Sequence, residues 1–179
     1  SREVEKKGGI LNAYTSNEVT AFWFKLPSKH TFAGLDILAD ILNNPTFEEK
    51  KFEKEKRVIL EEIKLYKDDP QKHIYEKIFE NLYESPLGEG VIGSEKTVST
   101  LSRDFVKSYF ESNYNPSKYI ISAVGNFNID EVSSYLEKAF VPKQVKHKLI
   151  PIKQKNAKTL ESREGIEQAN FIFAMHAPL

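Results

Sequence analysis

Hydrophobic and polar positions change period along the chain, and each change marks an element. Arg2–Lys7 reads as a short helix closed by Gly8-Gly9. Ile10–Thr15 and Val19–Leu26 flank the turn-like Ser16-Asn17-Glu18, and the second mixes aromatic with β-branched residues, which predicts a pair of strands. Leu35, Leu38, Ala39 and Leu42 then fall at helical spacing and predict a helix over Thr31–Asn43, stopped by Asn44-Pro45. Thr46 with Glu49 has the capping-box spacing, for a long helix reaching about Tyr66. Asp69-Pro70 can start the next helix, from about Gln71 to Tyr83. Beyond the glycine-rich stretch Pro86–Gly93, the pattern predicts a helix over Thr97–Glu111, a strand over Lys118–Val124 and an amphipathic helix over Ile129–Phe140. Val141–Lys158 is rich in Lys, Gln and Pro without an apolar stripe, and Gln168–Met175 reads as a further strand.

Strands and helices in this order, without strict βαβ alternation, predict an α+β fold: a mixed sheet with helices packed on one face. The domain expectation is a first domain over 1–140, a linker over 141–163, and the opening strand of a second domain over 164–179. Trp23 is expected in the core.

The long helix carries the most informative polar positions. With Phe52 set at zero and about 100° per residue, Ile59, Ile63 and Tyr66 fall within roughly 40° of it, forming one apolar stripe. Glu55 and Glu62 project roughly 60–80° from Phe52, on the flank of that stripe, while Glu61 points away. A carboxylate held against apolar surface needs a positive partner. Two readings follow: helix-edge carboxylates paired with Arg or Lys, or a metal ligand with a further carboxylate behind it.

Composition removes some classes. The 179 residues carry 26 Lys and Arg against 26 Asp and Glu, so no global basic field points to nucleic acid. No apolar run approaches the ~20 residues that would span a bilayer, and neither a nucleic acid nor a membrane is expected as partner. The chain has no cysteine, which removes a disulfide scaffold and leaves only His and carboxylate as metal ligands. The glycines of Pro86–Gly93 lack the order of a phosphate-binding loop.

Four blocks occur in order: Gly8-Gly9-Ile10-Leu11-Asn12-Ala13-Tyr14, Glu55 to Ile63, Pro86 to Gly93, and Asn113-Tyr114-Asn115-Pro116 leading into Ile120–Phe127. Together they resemble the pitrilysin/insulinase family of zinc metallopeptidases, with the processing-peptidase type nearest. The resemblance implies a tandem-domain architecture enclosing a chamber, zinc as cofactor, a peptide as substrate, and metal-assisted hydrolysis. It implies that Glu62 is a zinc ligand and that Glu55, one heptad earlier, orients the site. Asn12 and Ala13 match the family's substrate-binding edge strand, to which an extended peptide adds by main-chain bonds. A second homologous domain, or a homodimeric or heterodimeric partner, is expected.

One departure qualifies these matches. The family's H-x-x-E-H motif, which supplies two ligands and the general base, is not in this chain; by the family's spacing it would fall about 15 residues before Ser1. The chain is therefore expected to be a fragment, inactive by itself. The alternative is a non-catalytic partner or scaffold subunit of the same fold. His30, His73, His147 and His176 lack the spacing of a helical metal pair, and Tyr114 and Tyr119 are expected to serve packing.

Overall fold

The computed structural model describes residues 2–143, 150–163, 165 and 167–177. They fall into two compact units, one drawn from 1–47 and 103–147, the other from 48–102 and 148–179.

The first unit begins with α1 (Arg2–Glu5), strand β1 (Ile10–Thr15) and strand β2 (Thr20–Lys25). Gly8, at φ +75, ends α1 in a Schellman turn: the Gly9 N–H reaches the Val4 carbonyl and the Gly8 N–H that of Glu5. Only a residue without Cβ takes this φ freely, and the turn delivers the chain into β1. β1 and β2 pair antiparallel, Asn12 opposite Trp23 and Ala13 opposite Phe22. Ser16 closes the hairpin, its N–H on the Val19 carbonyl and its Oγ accepting the Val19 N–H.

Helix α2 (Thr31–Asn43) lies on β2 through Gly34, Leu35 and Ala39, all buried. α6 (Arg103–Asn113) and α7 (Ile129–Ala139) complete the unit. Phe22, Tyr114 and Phe110 form a ring ladder, with centroids 6.3 and 4.3 Å apart in turn. α7 starts on Asn128, whose Oδ1 accepts the Asp130 and Glu131 N–H groups, and it buries Val132. Asn43 donates to the Ala139 carbonyl and Tyr135 to Asp36, tying α2 to α7. Buried Asn115 accepts the Ser117 and Lys143 N–H groups and donates to the Lys143 carbonyl, so its polar atoms are satisfied.

The second unit holds α3 (Glu49–Asp68), α4 (Pro70–Leu82) and α5 (Glu95–Thr100), with Ile63 and Val98 buried. The α3–α4 corner forms as its sequence dictates: Pro70 occupies the first helical position and the Asp69 carboxylate accepts the Gln71 and Lys72 N–H groups. Residues 153–157 run antiparallel beside 81–84, joined by three backbone hydrogen bonds of 2.8–3.0 Å.

Several expectations change. α3 starts at Glu49 behind Glu48, which makes no side-chain cap, and Thr46 lies too far ahead to cap it. In between, Phe47 takes φ +45, a strained value for a bulky residue. Its carbonyl accepts from Arg103 Nε, and its ring meets Phe110 edge-on at 5.5 Å. The helix expected over Thr97–Glu111 is two helices, α5 and α6, because the chain turns extended at Leu101, whose carbonyl accepts from Lys56 Nζ. α5 opens on a reciprocal cap between Ser94 and Thr97.

Neither Lys118–Val124 nor Gln168–Met175 is a strand. A strand needs a ladder partner, and among the described residues neither segment finds one. Ile120 is 95% exposed and Val124 fully so. Observed sheet structure is thus the β1–β2 pair, in an α+β arrangement. Trp23 is 39% exposed on the outer face of β2, because Phe22 and Phe24 take the inner positions. Within the expected linker, 144–149 including His147 lie outside the described residues, as do 164, 166, 178 and 179 of the segment after it.

Candidate active site

Helix α3 carries the two carboxylates. Burying Ile63, which is 2% exposed, fixes the rotation of the helix about its axis. Glu62, its neighbour, is then turned to the surface, as is Glu55, two turns or roughly 10 Å back along the axis. The expectation that both lie against apolar surface is not met: Tyr66 of the stripe is 38% exposed, and Val58 and Leu65, beyond the carboxylates, are 42% and 66% exposed. Burial therefore imposes no partner on either carboxylate.

The paired reading also fails for them. Among the described residues neither Glu55 nor Glu62 makes an ion pair or a hydrogen bond, whereas Glu61 between them binds Lys64 at 2.8 Å. Glu62 is thus an exposed oxygen donor with both lone-pair edges open. As a zinc ligand it fits in type and accessibility. It is one donor where a catalytic zinc takes three, and among the described residues no cluster of three or more His, Asp or Glu completes a set.

Asn12 and Ala13 sit in the middle of β1 and are exposed. The Asn12 Oδ1 accepts the Ala13 N–H at 2.8 Å. A peptide carbonyl seeking that N–H must displace the Asn12 amide, which can swing away and bond to the incoming backbone instead. Both strands of a two-stranded sheet have a free edge, so edge character alone does not single out β1. These residues and the α3 carboxylates belong to different units.

The second unit also contains a cavity of about 510 Å³ that the sequence reading passed over. Its walls include Tyr66, His73, Glu76, Tyr83, the Gly88–Gly93 loop and Lys155. The loop approaches closely: a Cβ on buried Gly88 would lie 2.2 Å from the Tyr83 carbonyl oxygen. The signal available was the spacing His73, Glu76, Glu80, which puts three polar side chains on one face of α4 beside a glycine-rich loop. Tyr114 and Tyr119 are packing residues, Tyr119 against Phe140 at 5.7 Å, and burial pushes the Tyr119 hydroxyl pKa up. No helix of the described residues is long and apolar enough to cross a membrane.

Comparison with known proteins adds what the geometry cannot. A family model described as insulinase, peptidase family M16, matches residues 1–95, and one described as the peptidase M16 inactive domain matches 100–178. An uncharacterized zinc protease of Rickettsia felis is 36% identical over 78% of this chain and 34% of its own length. One of Bacillus subtilis is 32% identical over 93% of this chain and 41% of its own length. Among solved structures, a protease from Helicobacter pylori superposes with a TM-score of 0.73 at 26% identity, covering 84% of this chain and 37% of that one. The chain thus spans about a third to two-fifths of the length of these proteins.

Proposed function

Because the chain belongs to the insulinase family of peptidases, peptidase family M16, we propose that it is part of a zinc-dependent endopeptidase to which Glu62 supplies one metal ligand. The observation that carries this reading is the state of Glu62. It is exposed and, among the described residues, unpaired beside buried Ile63, within the stretch that the peptidase model matches.

Zinc, when bound, supplies a Lewis acid and a water acidified to near neutrality. The chain's own residues do the remaining work assigned here. Glu62 offers a carboxylate oxygen from a helix whose rotation Ile63 locks. Glu55, on the same side two turns earlier, orients neighbouring groups. β1 takes an extended peptide by its backbone, with Asn12 yielding the Ala13 N–H and Ala13 leaving room for the peptide's side chains. In domain terms, residues 1–140 belong to the peptidase domain, 141–163 link, and 164–179 open a second, related domain. That second domain, or a homologous partner subunit, closes the chamber.

The test is Glu62→Gln in the full-length protein, with zinc content and peptide hydrolysis measured together. Loss of both is expected; retention of stoichiometric zinc overturns the ligand assignment. Ala13→Pro removes the outward strand N–H and should abolish weak peptide binding to the strand; unchanged binding counts against β1 as the docking edge. The 179-residue chain alone should neither cleave peptides nor hold zinc, and one tightly bound zinc per chain by elemental analysis would contradict this.

A second reading is a non-catalytic partner or scaffold subunit of the same fold, with which the inactive-domain match over residues 100–178 is compatible. The reading frame upstream of Ser1 separates the two: an intact H-x-x-E-H supports the peptidase, a degenerate one the scaffold.

A further inference from the structure

Helices α3 and α5 pack on each other within the second unit, and a trough of about 720 Å³ opens between them. Arg57, Leu60, Glu61 and Lys64 line its α3 side, one above another at helical spacing, and Glu95 and Lys96 face them from α5. This side of α3 lies roughly 150–170° round the helix from Glu55 and Glu62. The trough is therefore separate from the candidate metal ligand, and its role is independent of zinc.

The carboxylates of the trough are already matched. Glu61 accepts from Lys64 at 2.8 Å, and Glu95 accepts from Lys67 at 2.9 Å. Lys67 first, then Lys64, hold the Glu95 carboxyl below its ordinary range, while Glu61 and then Glu95 push the Lys64 ammonium up. Three cations remain without a carboxylate among the described residues. Arg57 uses only its Nε, on the Glu53 carbonyl at 3.3 Å, and its two terminal nitrogens are open. Lys96 has no acceptor for its Nζ. Lys56, next to Arg57, donates to a neutral group, the Leu101 carbonyl at the end of α5, at 2.9 Å. One turn before Arg57, Glu53 stands between Lys50 and Lys54, so that end is positive as well. The whole chain balances 26 cationic against 26 anionic residues, so this excess is local.

Arg57 and Lys96 are exposed, and no shielded donors converge on one point. A small anion gains little from contacts of that kind. A chain of carboxylates meets several of the cations at once, and linked contacts add affinity that no single one supplies. Half-buried Leu60, between Arg57 and Lys64, offers apolar surface to an uncharged side chain in such a chain. We propose that the α3–α5 trough docks an acidic polypeptide segment, its carboxylates on Arg57 and Lys96 and an apolar side chain over Leu60.

Fluorescence anisotropy tests this on the whole chain, with a fluorescein-labelled peptide of glutamates around a central leucine as probe. Binding should weaken as salt rises, and the same peptide with glutamines for glutamates should not bind. Arg57→Glu and Lys96→Glu should each weaken binding about threefold, and together about tenfold. Lys29→Glu makes the same charge change on an exposed lysine of the first unit and should leave binding unaltered. If a reversal variant loses its far-UV circular dichroism, Arg57→Gln and Lys96→Gln replace it, each expected to weaken binding about twofold. A probe that does not bind, or folded variants that bind it like wild type, overturns the proposal. So does displacement of the probe by inorganic phosphate or by single-stranded oligothymidylate at equal charge, which would assign the trough to small anions or to nucleic acid.

Discussion

Gly34→Ala should destabilise the protein, against the usual sign for a glycine inside a helix. Replacing an interior helical glycine by alanine ordinarily stabilises by about 1 kcal/mol. Here the new Cβ would lie 2.5 Å from Phe24 Cε2 and 2.7 Å from Cδ2 and Cζ. Carbon atoms prefer about 3.5–4.0 Å, so ring or helix must give by about 1 Å. The ring is broad and its backbone is paired within the sheet, so relief requires β2 and α2 to separate. Overpacking of this kind costs about 1–3 kcal/mol, and the upper half of that range applies. The net expectation is a loss of about 1 kcal/mol. In a Phe24→Ala background the obstruction is gone, and the same Gly34→Ala change should stabilise by about 1 kcal/mol. Urea unfolding followed by far-UV circular dichroism on the four proteins measures the coupling, expected at about 2–3 kcal/mol. Stabilisation by Gly34→Ala in the wild-type background, or equal effects in both backgrounds, would refute the reasoning.

Two further outcomes follow from single contacts. Asp69→Ala removes the acceptor for two α4 amides and should cost about 1 kcal/mol in urea unfolding, while Asp69→Asn, which caps equally well, should be nearly neutral. Tyr135 has its hydroxyl pKa pushed up to about 12, by burial and then by the bond it donates to Asp36. A raised folded value means its contribution is complete below the unfolded value near pH 10 and disappears as pH rises to about 12. Tyr135→Phe should therefore flatten the alkaline limb of a stability–pH profile, read from urea midpoints.

What the sequence disclosed was local. The α3–α4 corner is written in Asp69-Pro70, the α1 exit in Gly8-Gly9 and the hairpin in the turn residues Ser16-Asn17-Glu18 between aromatic and β-branched runs, because each is decided by groups a few residues apart. The break between α5 and α6 has no Gly or Pro to announce it, and Lys56, which takes the Leu101 carbonyl, stands 45 residues upstream. Apolar runs at 118–124 and 168–175 have strand composition, but composition does not supply a pairing partner. For the candidate site, helical periodicity placed Glu55 and Glu62 on one side of α3, and the structure turns both to the surface. Periodicity could not say how little apolar surface would meet that flank. His73 looked unremarkable at its helix start because its hydrogen-bond partner, Glu161, lies 88 residues away.

The route of the chain between its two units bears on the order in which it can fold. The first unit is left at Phe47 and resumed only at Arg103. During synthesis from the N-terminus, the β1–β2 hairpin and α2 emerge early but must wait for α6 and α7, whose rings and carbonyls they meet. α4 likewise waits for Lys153–Ala157, about 70 residues further along the chain. Closing such distant pairs is entropically unfavourable and slow relative to local contacts. A nascent chain halted before Arg103 thus holds helices and a hairpin but neither finished unit.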